Sequence, residues 1–250
     1  PPGMDELLDQ MDARGVTFAP ASGRQVWTLI DMFPGRPGMT VIGENGGIVM
    51  RDGVEVSSSP LDAPTMREAV CLVREATSGP DGIDGGLVMC GKQFAYVERT
   101  DDRFVDGVMP YYHRTKRVDD QIAIIDAIEA GEIDDAIVKL AVYVIGPVQA
   151  LAEATLARFA DTHQYAVSGA NWADLQIRGV DKGSAVRDLQ RFLGVDRSQT
   201  AVFGDAGNDL SMMSEGDLSF AMANASQDVI EAARFIAPSN NEAGVAQVLR

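Results

Sequence analysis

An alternation of helix and strand that breaks off after Ser57 and resumes after Gly179 is the strongest constraint this sequence places on its fold. In the opening stretch Leu7, Leu8 and Met11 recur at helical spacing within Met4 to Arg14, with Gly15 as the stop. A short β-type run, Val16 to Ala19, follows, then a helical stretch from Gln25 to Phe33, then a strand at Thr40-Val41-Ile42. Helix, strand, helix, strand is the order of a parallel α/β sheet. Ile48 to Met50 and Val54 to Val56 flank Asp52-Gly53, the pair favoured in a two-residue hairpin turn, and Ser57 to Pro60 reads as a linker. From Leu61 the order is no longer regular. A helix at Pro64 to Thr77 is followed by paired strands at Gly86 to Cys90 and Gln93 to Glu98 and a mixed helical region to Ala130. An apolar strand at Ile137 to Ile145, a helix at Val148 to Ala160 and strands near Tyr165 to Val167 and Asp174 to Ile177 complete this part. The alternation then returns with helix Ser184 to Leu193, strand Thr200 to Phe203, a loop, strand Leu218 to Met222 and helix Ser226 to Ala233. The pattern predicts an α/β fold in which residues 1–57 and 179–250 share a parallel sheet and an α+β domain, 60–178, is inserted between them.

Charge narrows the partners. The formal net charge is −16, with 37 acidic against 21 basic residues, a field that repels polyphosphate backbones, and the sequence has no basic patch to offset it; nucleic acid is not an expected partner. The longest uncharged run, Leu140 to Ala152, falls short of the ~18 apolar residues a membrane span requires. No basic start followed by an apolar run is visible, and a cytoplasmic setting is expected. Two cysteines, Cys71 and Cys90, cannot form a disulfide framework and read as core residues. His113 and His163 lack a neighbouring nucleophile motif and read as surface or structural. Trp27 reads as packing, and Trp172 and Tyr165 flank a strand of the inserted domain, facing either its core or a ligand.

Ligands of open α/β sheets bind outside the carboxyl ends of the strands, so the residues just after each strand are the ones to inspect. Gly204-Asp205-Ala206-Gly207-Asn208-Asp209 places two carboxylates and an amide after an apolar strand, with glycines that let the chain turn sharply. Such a loop suits a hard cation such as Mg2+, and suits equally an Asx turn capping the helix near Leu210. Ser22-Gly23-Arg24 joins a strand end to a helix start, where free N–H groups and the helix dipole favour an anion or a simple serine cap. Lys182, in Asp181-Lys182-Gly183-Ser184, sits in the first turn of a helix, where its charge opposes the dipole unless it is solvated or a phosphate lies between. Together these are parts for Mg2+-assisted phosphoryl transfer without a nucleophile.

The same segments resemble the haloacid dehalogenase-like (HAD) phosphatases, in particular the Cof-type group, whose Rossmann-like core carries an inserted α/β cap. Val16–Arg24 is similar to the family's second motif, Gly43-Glu44-Asn45-Gly46-Gly47 to its Asn-Gly turn, Gly179–Gly183 to its third motif and Gly204–Asp209 to its fourth. Phe220–Ala225 and Asn241–Val245 resemble its closing segments. The resemblance implies hydrolysis of a small phosphorylated metabolite, a sugar phosphate or phosphorylated cofactor, through an aspartyl-phosphate. It implies that Asp205 holds Mg2+, that Asp209 holds the metal or orients its loop, and that Ser22, the Gly23 N–H, Lys182 and Asn208 bind the transferring group. Arg24 and Asn45 become possible substrate contacts. The family's Asp-x-Asp nucleophile motif would precede Met4; Asp119-Asp120 and Asp134-Asp135 lie in the inserted domain and cannot replace it. An N-terminal segment of about two dozen residues is therefore expected, carrying a first strand and the nucleophile. A catalytically inactive phospho-ligand binder and a phosphomutase are the alternatives.

Overall fold

Contacts divide the chain into two units in the computed structural model, which describes residues 2–36 and 38–250. The first unit comprises residues 2–22, 35–57 (Pro37 aside) and 181–250; the second comprises 23–34 and 58–180. The helix Val26–Asp31 thus belongs with the inserted domain, where the sequence reading had it continuous with the first unit. Its polar side chains explain the grouping. Gln25 exchanges two hydrogen bonds with the backbone of Arg114, Thr28 Oγ1 donates to the Tyr111 carbonyl at 3.0 Å, and Trp27 Nε1 donates to the Lys92 carbonyl at 2.9 Å.

In the first unit the strands Val41–Gly43, Ile48–Arg51 and Val54–Ser58 form one three-stranded sheet, with Val41 opposite Met50 in antiparallel register. Asp52 and Gly53 both take positive φ, 51° and 74°, the conformation a two-residue hairpin turn demands. Val16 to Ala19, expected as a strand, carries no strand assignment; the chain pairs just beyond it, through an isolated parallel bridge between Ala21 and Ile42. Pro20 has no N–H to give to a ladder; its carbonyl accepts from Ile42 N, and Ser22 N donates to the Ile42 carbonyl, each at 2.9 Å. The second sheet of this unit is parallel: Ala201–Gly204, Leu218–Met222 and Phe235–Ala237, with Phe203, Phe220 and Phe235 in register across it. The last strand is absent from the sequence reading, and the loop expected after Gly204 contains 3-10 turns over Gly207–Ser214.

One apolar cluster joins both sheets. Ala185, Val186 and Leu189, on one face of the helix Lys182–Leu193, pack with Ile42 and Val49 from the first sheet and Val202 and Ala221 from the second. Asp181 caps that helix, accepting from Ser184 N at 2.7 Å while Ser184 Oγ accepts from Asp181 N, a reciprocal pair that fixes where the helix begins.

The second unit is built on a six-stranded sheet containing, in spatial order, Thr115–Arg117, Ala95–Val97, Gly85–Gly91, Ile137–Val144, Trp172–Ile177 and His163–Val167. All neighbours are antiparallel except the first pair. Side chains alternate between two apolar layers. Leu87, Met89, Leu140, Val142 and Leu175 pack with Met66, Val70 and Val73 of the helix Ala63–Thr77 and with Ile125 of Gln121–Glu129. Val88, Cys90, Ala95, Val97 and Ala141 face Phe104, Val108 and Tyr112 on the other side, with Tyr143 and Trp172 packed against them. Cys90 is buried as expected, but Cys71 is exposed, because the buried stripe of its helix runs through Met66, Ala69, Val70 and Val73. The helix expected over Val148 to Ala160 breaks at Thr155, whose Oγ1 donates back to the Leu151 carbonyl at 2.6 Å, leaving Gln149–Ala154 and a 3-10 turn at Leu156–Phe159. No helix among the described residues is long and apolar enough to cross a membrane.

Candidate functional site

A buried ion pair anchors the candidate site in the first unit. Lys182 Nζ donates to Asp209 Oδ1 at 2.6 Å, and the two side chains are only 6% and 9% exposed. The lysine charge that opposes its helix dipole is thus met by a carboxylate 27 residues downstream. Asp209 Oδ2 accepts from the backbone N–H of Asp205 at 3.0 Å and of Ala206 at 3.2 Å. One carboxylate therefore shapes the acidic loop and neutralises the lysine at once. Asp209 thus accepts from the loop's backbone, while the half-buried Asp205 is the loop's other acid.

Two glycines make this approach possible. A Cβ at Gly204 would lie 2.6 Å from the Asp209 Cβ, so only glycine lets the strand end pass so close to the carboxylate. Gly46, at φ 95°, packs so tightly on the start of the lysine helix that a Cβ there would sit 2.2 Å from the Asp181 carbonyl oxygen. The Asn-Gly turn after the strand Val41–Gly43 thus locates the helix that carries Lys182. Gly207 differs from the expectation of a sharp glycine turn: its φ is not left-handed and a Cβ would meet nothing within 4 Å.

Three more of the expected residues are linked to one another by hydrogen bonds. Asn45 N donates to the Ser22 carbonyl at 3.0 Å, and Asn208 Nδ2 donates to Asn45 Oδ1 at 3.1 Å. Ser22, Asn45 and Asn208 thereby form one hydrogen-bonded group and Lys182, Asp205 and Asp209 another, and the two meet where Asn208 precedes Asp209 in the chain. Gly23 and Arg24 lie in the second unit. The Gly23 carbonyl accepts from Lys139 Nζ at 2.7 Å, and the Arg24 guanidinium lies over the Tyr111 ring, 5.1 Å from its centroid. Sequence reasoning missed Asn240, whose Nδ2 donates to Asp205 Oδ2 at 2.9 Å, and Ser211, whose Oγ accepts from Gly183 N at 3.0 Å. The doublet Asn240-Asn241 after an apolar run was the available signal, hidden because the strand before it went unread.

For a divalent cation the described residues offer the Asp205 carboxylate and amide oxygens, all hard donors. They contain no cluster of three or more His, Cys, Asp or Glu side chains arranged to hold a metal. One carboxylate with water and phosphate oxygens is within the requirements of Mg2+, which seldom takes an all-protein cage.

The family model of the haloacid dehalogenase-like hydrolases matches residues 2–249. This chain belongs to that family. As an HAD hydrolase it is 34% identical over 247 residues to the 5-amino-6-(5-phospho-D-ribitylamino)uracil phosphatase YbjI of Escherichia coli K12, an alignment covering 96% of this chain and 84% of the relative. Its fold matches that of the HAD subclass IIB sugar phosphatase BT4131, with a TM-score of 0.76 at 18% identity over 100% of this chain and 90% of the other. It also matches a haloacid dehalogenase-like hydrolase from Bacteroides thetaiotaomicron, with a TM-score of 0.80 at 20% identity, covering 98% and 89%. The chain is thus a hydrolase of the HAD family with an α/β fold, and its relatives include named phosphatases.

Proposed function

We propose that this HAD phosphatase is Mg2+-dependent and hydrolyses the monoester of a small phosphorylated metabolite. The observation that carries the reading is the Lys182–Asp209 pair, whose second carboxylate oxygen holds the backbone of the acidic loop. A phosphoryl group needs a cation and oriented donors, and a catalytic cation needs a carboxylate nearby; Lys182, Asp209 and the half-buried Asp205, linked by hydrogen bonds, support the reading. Asp205 is assigned to hold Mg2+, which when bound would neutralise charge on the phosphoryl oxygens. Lys182, the Ser22 hydroxyl and the Asn208 amide are assigned to bind the transferring group, with Asp209 orienting the lysine and the loop. Asn45 orients Asn208. The nucleophile that the family resemblance implies is an aspartate outside this set; it would attack phosphorus as the P–O bond to the alcohol breaks, and water would then hydrolyse the aspartyl-phosphate to free aspartate and inorganic phosphate.

The first substrate to try is 5-amino-6-(5-phospho-D-ribitylamino)uracil, on the strength of the identity to YbjI along most of both chains. The test is release of inorganic phosphate by the natural protein from this compound and a panel of sugar phosphates, with Mg2+ and with EDTA. Release that EDTA abolishes supports the reading. Release insensitive to EDTA refutes the metal assignment, and transfer of the group within the substrate without free phosphate would make the protein a mutase.

A further inference from the structure

The two carboxylates of the acidic loop are held in opposite ways. Asp209 is neutralised by a buried ammonium. Asp205 receives a neutral donor instead, the Asn240 amide, on Oδ2 at 2.9 Å. Asn240 is itself braced: its backbone N–H donates to Asn224 Oδ1 at 3.1 Å, and Ser239 Oγ donates to the same oxygen at 3.0 Å. A second hold comes from Ser226, just beyond Asn224, whose N–H donates to the Asp205 carbonyl at 2.9 Å. Turns that follow two different strands, Leu218–Met222 and Phe235–Ala237, therefore converge on this one residue. Oδ1 of Asp205 takes no hydrogen bond from the described residues.

The choice of donor matters chemically. Lysine or arginine at position 240 would fix the carboxylate and also cancel the charge a cation needs. An amide fixes it and leaves that charge in place. Asn224 and Asn240 are both exposed, so neither is there to fill the core. Resting on the phosphatase reading above, we propose that Asn240, braced by Asn224, is a positioning residue that holds one oxygen of Asp205 so that the other is presented to the divalent cation. Partners that orient a metal ligand commonly carry 10- to 100-fold of metal affinity or activity.

The experiment measures Mn2+ binding to the natural protein by paramagnetic resonance of the free ion, with Mg2+ as competitor, in wild type, Asn240→Ala, Asn224→Ala and the double variant. Asn240→Ala is expected to weaken binding about tenfold, Asn224→Ala less, and the double variant no more than Asn240→Ala alone, because both changes act through one contact. Melting temperatures should stay close to wild type, and saturating Mg2+ should restore turnover in Asn240→Ala, which a general structural defect would not allow. Binding by Asn240→Ala within twofold of wild type, or effects of the two substitutions that simply add, would overturn the proposal while leaving the phosphatase reading intact. A wild-type protein that binds neither ion would overturn the metal assignment itself, and this inference with it.

Discussion

Replacing Lys182 with methionine isolates the electrostatic centre of the site. Methionine keeps the length and the apolar stem but removes the ammonium, leaving a carboxylate that is 9% exposed with its Oδ1 partner gone. Breaking a buried pair by removing one member costs about 3–5 kcal/mol, because the surviving charge is still desolvated. For a unit of roughly a hundred residues, each kcal/mol corresponds to about 4 °C, so Lys182→Met should lower the melting temperature of the first unit by about 12–20 °C. Far-ultraviolet circular dichroism is the suitable probe, since Trp27 and Trp172, the two tryptophans, both lie in the second unit. A second substitution tests the cause. In Lys182→Met/Asp209→Asn the buried charge is gone, while the amide oxygen can still accept from the N–H groups of Asp205 and Ala206. More than half of the lost stability should return. A single variant that melts within ~4 °C of wild type, or a double variant no more stable than the single, would refute the argument that uncompensated charge is what the pair prevents.

Gly46→Ala and Gly207→Ala form a matched pair: the first should cost about 3 kcal/mol and displace Lys182, since the new Cβ meets the Asp181 carbonyl, whereas the second should change stability by less than ~0.5 kcal/mol, both read by denaturant midpoints. Asp62 caps the helix Ala63–Thr77. Burial alone would raise its pKa, but hydrogen bonds from Thr65 N and Oγ1 outweigh that and hold the carboxyl below the usual carboxylate range. Its stabilisation is therefore present above about pH 3.9 and lost as pH falls through the lower folded value. Asp62→Ala should cost the second unit about 1 kcal/mol at pH 7 and progressively less as pH falls below about 3.9, by thermal melts across pH. A water-soluble thiol reagent should label Cys71 alone in the native protein and both cysteines after denaturation.

What could be read in the sequence was what is decided locally. The Asp52-Gly53 hairpin needs only two residues able to take positive φ; the lysine helix was read from Ser184, two residues late, although its cap, Asp181 with Ser184, is local. Thr115–Arg117 and Phe235–Ala237 went unread because each has only three residues, and the side chains of the first are mostly exposed, so neither shows a burial period. Cys71 was misplaced because its neighbours Val70 and Leu72 are apolar, although the helical period sets it off the buried stripe. The candidate site residues were singled out one by one, from their chemistry or, for Asn45, from the family resemblance. Their partners were not, since Lys182 and Asp209, or Asp205 and Asn240, meet only through the tertiary fold.

The Lys182–Asp209 pair has a kinetic consequence. Because its lysine, its carboxylate and two loop amides already satisfy one another in the bare protein, the site proposed above for the phosphoryl group would be assembled before any ligand arrives. Capture then needs no ordering of this loop, and selectivity at this spot should lie in how fast ligands leave rather than in how slowly they enter.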